Sequence, residues 1–361
     1  MKKNTRQILL IPAFDKFIAV SVSGTRTTIS GKKIKIGSIS QYRCVCKLLR
    51  QYEEKYQLTL RIVLLHRSSL RQLQSEKLYW KRFFRHFSSF LYNEKKFYDQ
   101  YIGSVAKVLR TFFNYLKTEK TLPVGDYHKQ FRVPAAEIQP VVLEPYQLRR
   151  LITDQPFHHS LPPHLQRTKD IFVFGATVGL RFSDLMALKK TNIQPSENGS
   201  SIILNTKKTA ALVKIPLPPY CMQLIEKYKI KAGRYVLPRI SSTNLNLQLK
   251  TLMEYAGYTN YLPKIRNKKG SPVEIKTKTG KTYRFCDHVG THTMRRTAIT
   301  TLLLMGVEET FVRRISGHAP GSKEFFKYVA VVQDYLNTSV REAHQKLLIQ
   351  SPATTPWNLS S

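Results

Sequence analysis

Long apolar runs, cysteines and acidic residues are all scarce in this 361-residue chain. The longest strongly apolar stretch, residues 171–180, is about half as long as the roughly 20 residues that span a bilayer. We therefore predict no transmembrane segment and no membrane partner. The amino terminus is basic, but its short apolar run is interrupted by Pro12 and followed by Asp15, so we interpret it as mature protein and not as a signal peptide.

Cysteine is rare: the sequence contains Cys44, Cys46, Cys221 and Cys286. On a helix, Cys44 and Cys46 would point to nearly opposite faces, so the spacing indicates neither a zinc site nor a disulfide framework. Such cysteines pack as small apolar side chains much more often than they act as reactive groups. This usage suits a reducing cytoplasm and does not exclude the nucleus.

Acidic residues are far outnumbered by basic ones, with 23 Asp and Glu against 59 Lys and Arg and a formal net charge of +36. Such a surplus repels itself in a compact molecule, and a polyanionic partner would relieve the repulsion. Nucleic acid suits this charge better than an anionic membrane, because regularly spaced phosphates release counterions when Lys and Arg bind them.

The first third of the chain is predicted to be helical. The segment Ser38-Ile-Ser-Gln41 is typical of a capping box at a helix start. Three sets of apolar residues follow at helical spacing: Tyr42, Val45, Cys46, Leu49 and Tyr52; Trp80, Phe83, Phe84, Phe87 and Leu91; and Ile102, Val105, Leu109, Phe112, Phe113 and Leu116. This spacing favours core packing over base stacking for the aromatic residues.

A polar stretch rich in proline, residues 123–142, predicts an extended linker. We therefore predict two domains, residues 1–122 and 143–343, followed by a tail at 344–361. In the second domain, residues 201–205 and 212–217 predict a hairpin with Lys207 and Lys208 at its turn. A second hairpin is predicted around Thr279-Gly280, with strands near 273–277 and 283–285.

Three more helices are predicted near residues 292–305, 307–316 and 322–336, and the tail adds a helical segment at 340–349. The first of these begins with His292-Thr-Met-Arg295, whose three-residue spacing puts both side chains on one face. Unpaired backbone amides at the helix start would add positive potential there, so an anion such as phosphate could bind. Taken alone, this pair is more typical of a solvated basic face at the start of a surface helix than of an anion site.

Other candidate residues lie on both sides of that helix. Arg181 follows a predicted helix end and is followed one turn later by Asp184, and Ser316-Gly317-His318 precedes Tyr328 by ten residues. Each has an ordinary interpretation: Arg181 as a surface arginine paired with Asp184, His318 as a helix-capping residue, and Tyr328 as one packing tyrosine among 19. Their occurrence together and in this order favours a shared site.

In these residues the sequence resembles the tyrosine recombinase (phage integrase) family, particularly the integrases of mobile elements. The family carries Arg, Lys, HxxR, GH and Tyr in this order, and the resemblance is clearest over residues 143–343. It implies a mainly α fold with small β-hairpins (α+β), in which a helical, SAM-like core-binding domain and a catalytic domain form a C-shaped clamp around DNA. The implied activity is site-specific DNA recombination, for integration or excision of a mobile element.

The resemblance also implies roles for individual residues. Tyr328 would attack the scissile phosphate and form a 3′-phosphotyrosine link. Arg181 and Arg295 would bind the nonbridging oxygens, and His318 would donate a further hydrogen bond. This cationic set would stabilise the charge of the transition state, so that neither a metal ion nor ATP nor another cofactor is expected.

Lys208 best matches the family's hairpin lysine and would protonate the departing 5′-oxygen, although the adjacent Lys207 is a possible substitute. His292 would accept the tyrosine proton or hold the phosphate. The implied partners are double-stranded DNA, three further copies of the chain in a homo-tetramer on two DNA sites, and an accessory DNA-bending or directionality protein.

Three other functions are compatible with parts of the sequence. A type IB topoisomerase uses a similar tyrosine and basic cluster, but the amino-terminal helical domain favours recombination. A DNA-binding regulator on a recombinase scaffold would not need the full set of six residues. A metal-dependent transposase would need converging acidic ligands, which no motif among the 23 carboxylates indicates.

Overall fold

The computed structural model describes residues 6–66, 68–134, 139–196, 199–207 and 210–349. Its helices are α1 (Leu10–Ser23), α2 (Ile36–Tyr56), α3 (Leu70–Asn93), α4 (Asp99–Asn114), α5 (Pro145–Thr153), α6 (Gln155–Ser160), α7 (Pro163–Val178), α8 (Phe182–Leu185), α9 (Pro219–Lys227), α10 (Ser242–Tyr255), α11 (Phe285–His288), α12 (Thr291–Leu304), α13 (Glu309–Ser316) and α14 (Lys323–Ile349). Its strands are β1 (Gln7–Leu9), β2 (Arg61–Val63), β3 (Ile193–Ser196), β4 (Gly199–Asn205), β5 (Leu212–Leu217), β6 (Lys264–Lys268) and β7 (Ser271–Ile275).

The chain divides into two compact units. Unit 1 comprises Met1–Glu137 and Lys264–Ile275, and unit 2 comprises Ile138–Pro263 and Lys276–Ser361. The strands pair as small antiparallel sheets, β1-β2, β3-β4-β5 and β6-β7. The predicted fold class, mainly helical with small β-hairpins, is confirmed. In the described ranges, no helix is both long and apolar enough to cross a membrane.

The core of unit 1 is built from the aromatic faces of α2, α3 and α4. Of the three predicted sets, every residue is buried except Phe84, which is partly buried against the same core. Trp80 is fully buried and stacks on Tyr127 with ring centroids 5.3 Å apart and planes 9° apart. These aromatic side chains therefore stabilise the unit from inside, as their helical spacing predicts.

Several local predictions in unit 1 are wrong. Helix α2 begins at Ile36 with Lys35 as its N-cap, so Ser38 lies inside the helix and forms no capping box. Helix α1 was not predicted, because Pro12 interrupts its apolar run, yet proline is tolerated in the first turn of a helix. Part of the predicted linker forms a 3-10 helix at Asp126–Gln130, since the flanking aromatic residues are buried in the core.

The second hairpin lies earlier in the chain than predicted. Strands β6 and β7 are joined at Lys269 and Gly270, whose positive φ values of 55° and 84° suit a two-residue hairpin turn. The amides of both turn residues donate to the buried carboxylate of Asp99 at the start of α4, at 2.8 Å each. The Thr279-Gly280 turn does form, but it closes a loop after β7 and joins no strands in the described chain.

Unit 2 contains the first predicted hairpin. Strands β4 and β5 pair from Ser200 with Leu217 to Asn205 with Leu212, which confirms the prediction, and β3 adds a third strand that was not predicted. Along β5, buried and exposed residues alternate, so that one face of the sheet packs on the core.

Helices α7 and α12 cross closely in unit 2. At Gly175 an added Cβ atom would lie only 2.6 Å from Sδ of Met294, so the absence of a side chain permits this approach. The predicted end of α13 at Gly317 is confirmed by its left-handed conformation, with φ 62°. The predicted break between residues 336 and 340 is absent, because α14 runs without interruption from Lys323 to Ile349.

Candidate active site

Arg181 lies between two helices of unit 2. Helix α7 ends at Gly179 in the left-handed conformation, and Arg181 is the N-cap of α8. Its Nη1 atom is buried and has no hydrogen-bond partner among the described residues. One turn later, Asp184 is buried and accepts a hydrogen bond through Oδ1 from the backbone amide of Lys207, at 3.1 Å. A buried guanidinium nitrogen without a partner fits an anionic ligand better than an internal ion pair.

Arg295 is buried although it carries a charge, with 5% of its surface exposed. Its Nη1 donates to the carbonyl oxygen of Gly179 at 2.9 Å, and its Nη2 donates to the carbonyl oxygen of Ser316 at 2.6 Å. The same Nη2 lies 3.3 Å from Nδ1 and 3.2 Å from Nε2 of His318. One guanidinium therefore links the ends of α7 and α13 to the imidazole.

The electrostatics of Arg295 and His318 indicate that Arg181 is close to both. Burial and then the charge of Arg181 lower the pKa of Arg295 to about 10, so it remains charged at neutral pH. Burial, followed by the charges of Arg295, Arg181 and Arg313, lowers the pKa of His318 to about 3. The site therefore combines charged guanidinium groups with a neutral imidazole, a composition suited to holding a phosphate.

His318 is positioned by the end of α13. Gly317 adopts the left-handed conformation there, and the His318 amide then donates to the carbonyl oxygen of Arg313 at 3.0 Å. In the imidazole ring, Nδ1 of His318 lies 2.8 Å from Oγ of Ser316. The histidine is therefore held by its backbone as a helix cap and by its ring within the cluster.

Tyr328 lies on α14 beside the imidazole. Its ring centroid is 5.9 Å from that of His318 and 6.1 Å from that of Phe325, and it packs on a small apolar cluster with Ile299 and Val312. Phe325 is fully buried, whereas Tyr328 is half-buried. The apolar cluster thus fixes the ring of Tyr328 while part of the side chain remains accessible.

His292 is exposed at the second position of α12, one turn before Arg295. The expected cluster of unpaired amides at this helix start is largely occupied. The Thr291 amide donates to Oδ1 of Asn246 at 2.8 Å, and the Gly290 amide donates to Oγ1 of Thr293 at 3.1 Å. An anion at this site would therefore depend on side chains more than on the helix start.

Lys208 lies outside the described residues, so its position is not part of the observed geometry. The adjacent Lys207 is exposed on the β4–β5 turn. The end of this hairpin lies beside the histidine, because a Cβ atom added to Gly317 would be 3.6 Å from Cγ2 of Thr206 and 3.9 Å from Cβ of Ala211. Thr206 and Ala211, on the two described sides of the turn, thus lie next to the cluster.

Two residues of this region were missed by sequence reasoning. Ser316 contacts the His318 ring, and the guanidinium of Arg313 lies 4.2 Å from the centroid of the Phe325 ring, next to Tyr328. Both lie on α13, directly before the Gly-His motif. A search for polar residues within two helical turns of His318 could have found them. Nothing in their spacing showed that the Ser316 side chain contacts the imidazole or that the Arg313 guanidinium lies over the Phe325 ring.

A metal centre is not indicated in the part of the chain that the structure describes, where no group of three or more His, Cys, Asp or Glu side chains could hold an ion. The four cysteines are free, with Cys44 exposed and the others buried.

Comparison with solved structures relates this geometry to known folds. A lambda integrase dimer bound to a COC′ core site matches with a TM-score of 0.56 and 13% identity, over 90% of this chain and 77% of that chain. The XerH recombinase in a post-cleavage complex with a palindromic difH substrate matches with a TM-score of 0.59 and 10% identity, over 92% and 95%. The Tn1549 transposon integrase (residues 82–397) with circular intermediate DNA matches with a TM-score of 0.53 and 14% identity, over 89% and 95%.

The chain has the tyrosine-recombinase fold. No family model and no curated protein matches its sequence. The tyrosine-recombinase fold is therefore detected through its helical packing and small sheets, which tolerate replacement of most side chains provided that the pattern of buried positions persists. In this fold, Arg181, Arg295, His318 and Tyr328 come together in unit 2 although they are spread over about 150 residues of sequence.

Proposed function

We propose that the chain is a site-specific DNA recombinase of the integrase type, which breaks and rejoins DNA strands for the integration or excision of a mobile element. The observation that carries the proposal is the convergence of Arg295, His318 and Tyr328, with the charge of Arg181 acting on the first two. A phenol beside several cationic groups is the arrangement that phosphoryl transfer to tyrosine requires.

In the proposed reaction, the phenolic oxygen of Tyr328 attacks the scissile phosphorus. A new bond forms between this oxygen and phosphorus while the bond to the 5′-oxygen breaks, leaving a 3′-phosphotyrosine and a free 5′-hydroxyl. The number of phosphoester bonds is unchanged, so attack by the 5′-hydroxyl of another strand can reverse the step without ATP. Strand exchange follows when the attacking hydroxyl comes from a different strand.

The cationic groups stabilise this step. Arg181 offers the buried Nη1 atom, and Arg295 is held in place by two backbone carbonyl groups before any ligand binds. Preorganised donors of this kind lower the free energy of a transition state on which negative charge accumulates. They supply the charge stabilisation that metal ions give in other phosphoryl-transfer sites, so the proposed reaction has no metal requirement.

The reaction transfers a proton to the leaving 5′-oxygen and removes a proton from the phenolic oxygen of Tyr328. We assign protonation of the leaving 5′-oxygen to Lys208, with Lys207 as its substitute, because the hairpin that carries them ends beside Gly317. His292, exposed one turn before Arg295, would take the proton from Tyr328 or hold the phosphate. The roles of Lys208 and His292 rest on the resemblance and on the placement of their elements.

The partners are also proposals. Lambda integrase has been solved as a tetramer bound to a Holliday junction, and XerH bound to its difH substrate. By analogy, this chain would act on double-stranded DNA as a homo-tetramer on two sites, with an accessory DNA-bending or directionality protein. Residues 1–122 would form the core-binding domain and residues 143–343 the catalytic domain.

The test uses the variant Tyr328→Phe, which removes only the attacking oxygen. Duplexes bound by this variant would first be selected from a random-sequence library, and nicked forms of the selected DNA would then be incubated with the unaltered protein in EDTA. We expect a covalent protein–DNA adduct on denaturing gels, mapped to the peptide that contains Tyr328. Tyr328→Phe should bind the same DNA and form no adduct.

Tyr335→Phe is the matched control, because Tyr335 lies on the same helix and is 40% exposed. It should form adducts at the unaltered rate. Adducts formed by Tyr328→Phe, or mapped to another residue, would refute the proposal. Adducts that relax supercoiled DNA but never exchange strands between two sites would indicate a type IB topoisomerase instead.

A further inference from the structure

Ser316 makes a contact that the proposed reaction does not yet use. It is the last residue of α13, and only 2% of its surface is exposed. Its Oγ lies 2.6 Å from the carbonyl oxygen of Val312 and 3.3 Å from that of Arg313. The same oxygen lies 2.8 Å from Nδ1 of His318. A hydroxyl group has a single proton, so these contacts cannot all be donated by Ser316.

The carbonyl oxygen of Val312 can only accept, and its short distance makes it the acceptor of the Ser316 proton. Oγ must therefore accept the hydrogen bond from His318, which places a proton on Nδ1. Because the imidazole is neutral, Nε2 then carries a lone pair.

The position of Arg295 does not conflict with this assignment, but it does not decide between the tautomers. Its Nη2 lies almost equally far from the two ring nitrogens of His318. A donor at such similar distances lies along the in-plane lone pair of neither nitrogen, so the proton on Nδ1 is assigned from the Ser316 contact.

We propose that Ser316 is a positioning residue that keeps the proton of neutral His318 on Nδ1 and leaves Nε2 as a hydrogen-bond acceptor. In this state His318 cannot donate to a phosphate oxygen through Nε2. That donation requires a second proton on the ring, which the solvent supplies when the negatively charged phosphate binds. The effect of this tautomer on the reaction rests on the proposed function. The tautomer itself is a property of the protein without DNA and can be measured independently.

The first experiment is ¹⁵N NMR of the full-length protein labelled at histidine, without DNA and near pH 7.5. The His318 signals are those lost in His318→Gln. We expect Nδ1 in the chemical-shift range of a protonated nitrogen and Nε2 in the range of a lone-pair nitrogen. In Ser316→Ala both should move to intermediate shifts, because the two tautomers then interconvert. Ser316→Thr retains the hydroxyl and should retain the original pattern.

Ser21→Ala is the matched control. Ser21 is equally buried, and its hydroxyl donates to the carbonyl oxygen of Phe17 four residues earlier, in the same way as Ser316 to Val312. This variant loses the same kind of helical hydrogen bond and should leave the His318 signals unchanged. The inference is wrong if Nε2 is protonated in the unaltered protein, or if Ser316→Ala keeps the original pattern.

The second experiment measures single-turnover formation of the covalent adduct. The doubly protonated ring that donates to the phosphate is stabilised by the hydrogen bond from Nδ1 to Oγ of Ser316. We therefore expect Ser316→Ala to lower the rate by roughly threefold to tenfold, the effect of one hydrogen bond, and Ser316→Thr to restore it. An unchanged rate would show that the tautomer has no part in the reaction. If the unaltered protein forms no adduct, the proposed function fails, whereas the NMR result still decides the role of Ser316.

Discussion

Arg295 shows how a single residue can serve both the fold and the candidate site. A buried guanidinium is stabilised by hydrogen bonds to its donors, and here two of them bind carbonyl groups at the ends of α7 and α13. The HxxR spacing correctly predicted that His292 and Arg295 lie one turn apart on a helix. It could not predict the burial, since the carbonyl partners come from Gly179 and Ser316, which lie far away in sequence.

His318 gives a prediction about the pH dependence of stability. Its pKa in the folded protein is lowered to about 3, from an ordinary value near 6.5. Between these values the unfolded chain binds more protons than the folded one, so the free energy of unfolding rises with pH. Lowering the pH from 7.5 to 5 should therefore destabilise the protein. Thermal or urea unfolding at a series of pH values would measure this.

His318→Gln should make that pH dependence shallower, because one of the contributing groups is then absent. Part of the dependence should remain, since burial also lowers the pKa of His128 and His158. The groups that keep the His318 ring neutral are Arg295, Arg181 and Arg313, so the comparison is best made at constant ionic strength. An identical slope in the two proteins would contradict the assignment of a neutral, buried imidazole.

The crossing of α7 and α12 gives a prediction about a whole element. Arg181 follows the end of α7, and the HxxR pair lies on α12. The two helices pack closely at Gly175. In Gly175→Ala the new Cβ atom would meet Sδ of Met294 at 2.6 Å and Cδ2 of Leu185 at 3.1 Å. We expect a loss of about 1–3 kcal/mol in the free energy of unfolding, measured by urea denaturation.

Gly103→Ala, which also replaces a glycine inside a helix, should change the free energy of unfolding in the opposite direction. Gly103 lies inside α4, where the nearest atoms to an added Cβ are 3.9 Å and 4.0 Å away. Since alanine favours helix more than glycine, this variant should gain ~0.5–1 kcal/mol. If Gly175→Ala were as stable as Gly103→Ala, this result would contradict the close packing of α7 against α12 at Gly175.

Sequence periodicity succeeded where one face of an element is apolar throughout. The faces of α2, α3 and α4 were predicted because a buried helical face constrains every third or fourth residue. Strands β4 and β5 were predicted from two strand-like segments on either side of a turn. The failures occurred where a single local signal was given too much weight. Because of Pro12, helix α1 was not predicted. Because of the Thr279-Gly280 turn signal, the second hairpin was predicted later in the chain than its observed position at β6 and β7.

The observed β6–β7 turn depends on contacts that no short-range pattern contains. Lys269 adopts a positive φ that costs free energy for a residue with a side chain, and Asp99 offsets this by accepting two amides from the turn. The two partners are separated by 170 residues in sequence. A turn prediction from local composition therefore could not include the interaction that stabilises this hairpin.

At the scale of the whole molecule, the tyrosine-recombinase fold persists at 10–14% identity to the solved structures. What the sequence retains is a distribution of buried positions and a small set of charged residues in a fixed order. The first can be satisfied by many apolar side chains. The second could be found in the sequence from its residue types and order, although the chain as a whole matches no family model.

The net charge of +36 gives the last prediction, which concerns the molecule's affinity for duplex DNA. If binding neutralises six to ten phosphates, counterion release should lower the affinity by roughly 10³–10⁵-fold between 50 and 200 mM salt. Fluorescence anisotropy with a labelled duplex would measure this, using Tyr328→Phe so that no covalent adduct distorts the equilibrium. Circular dichroism at each salt concentration would show that the protein stays folded. An affinity that hardly changes with salt would mean that the basic surplus does not contact phosphates, and the charge argument for a DNA partner would then fail.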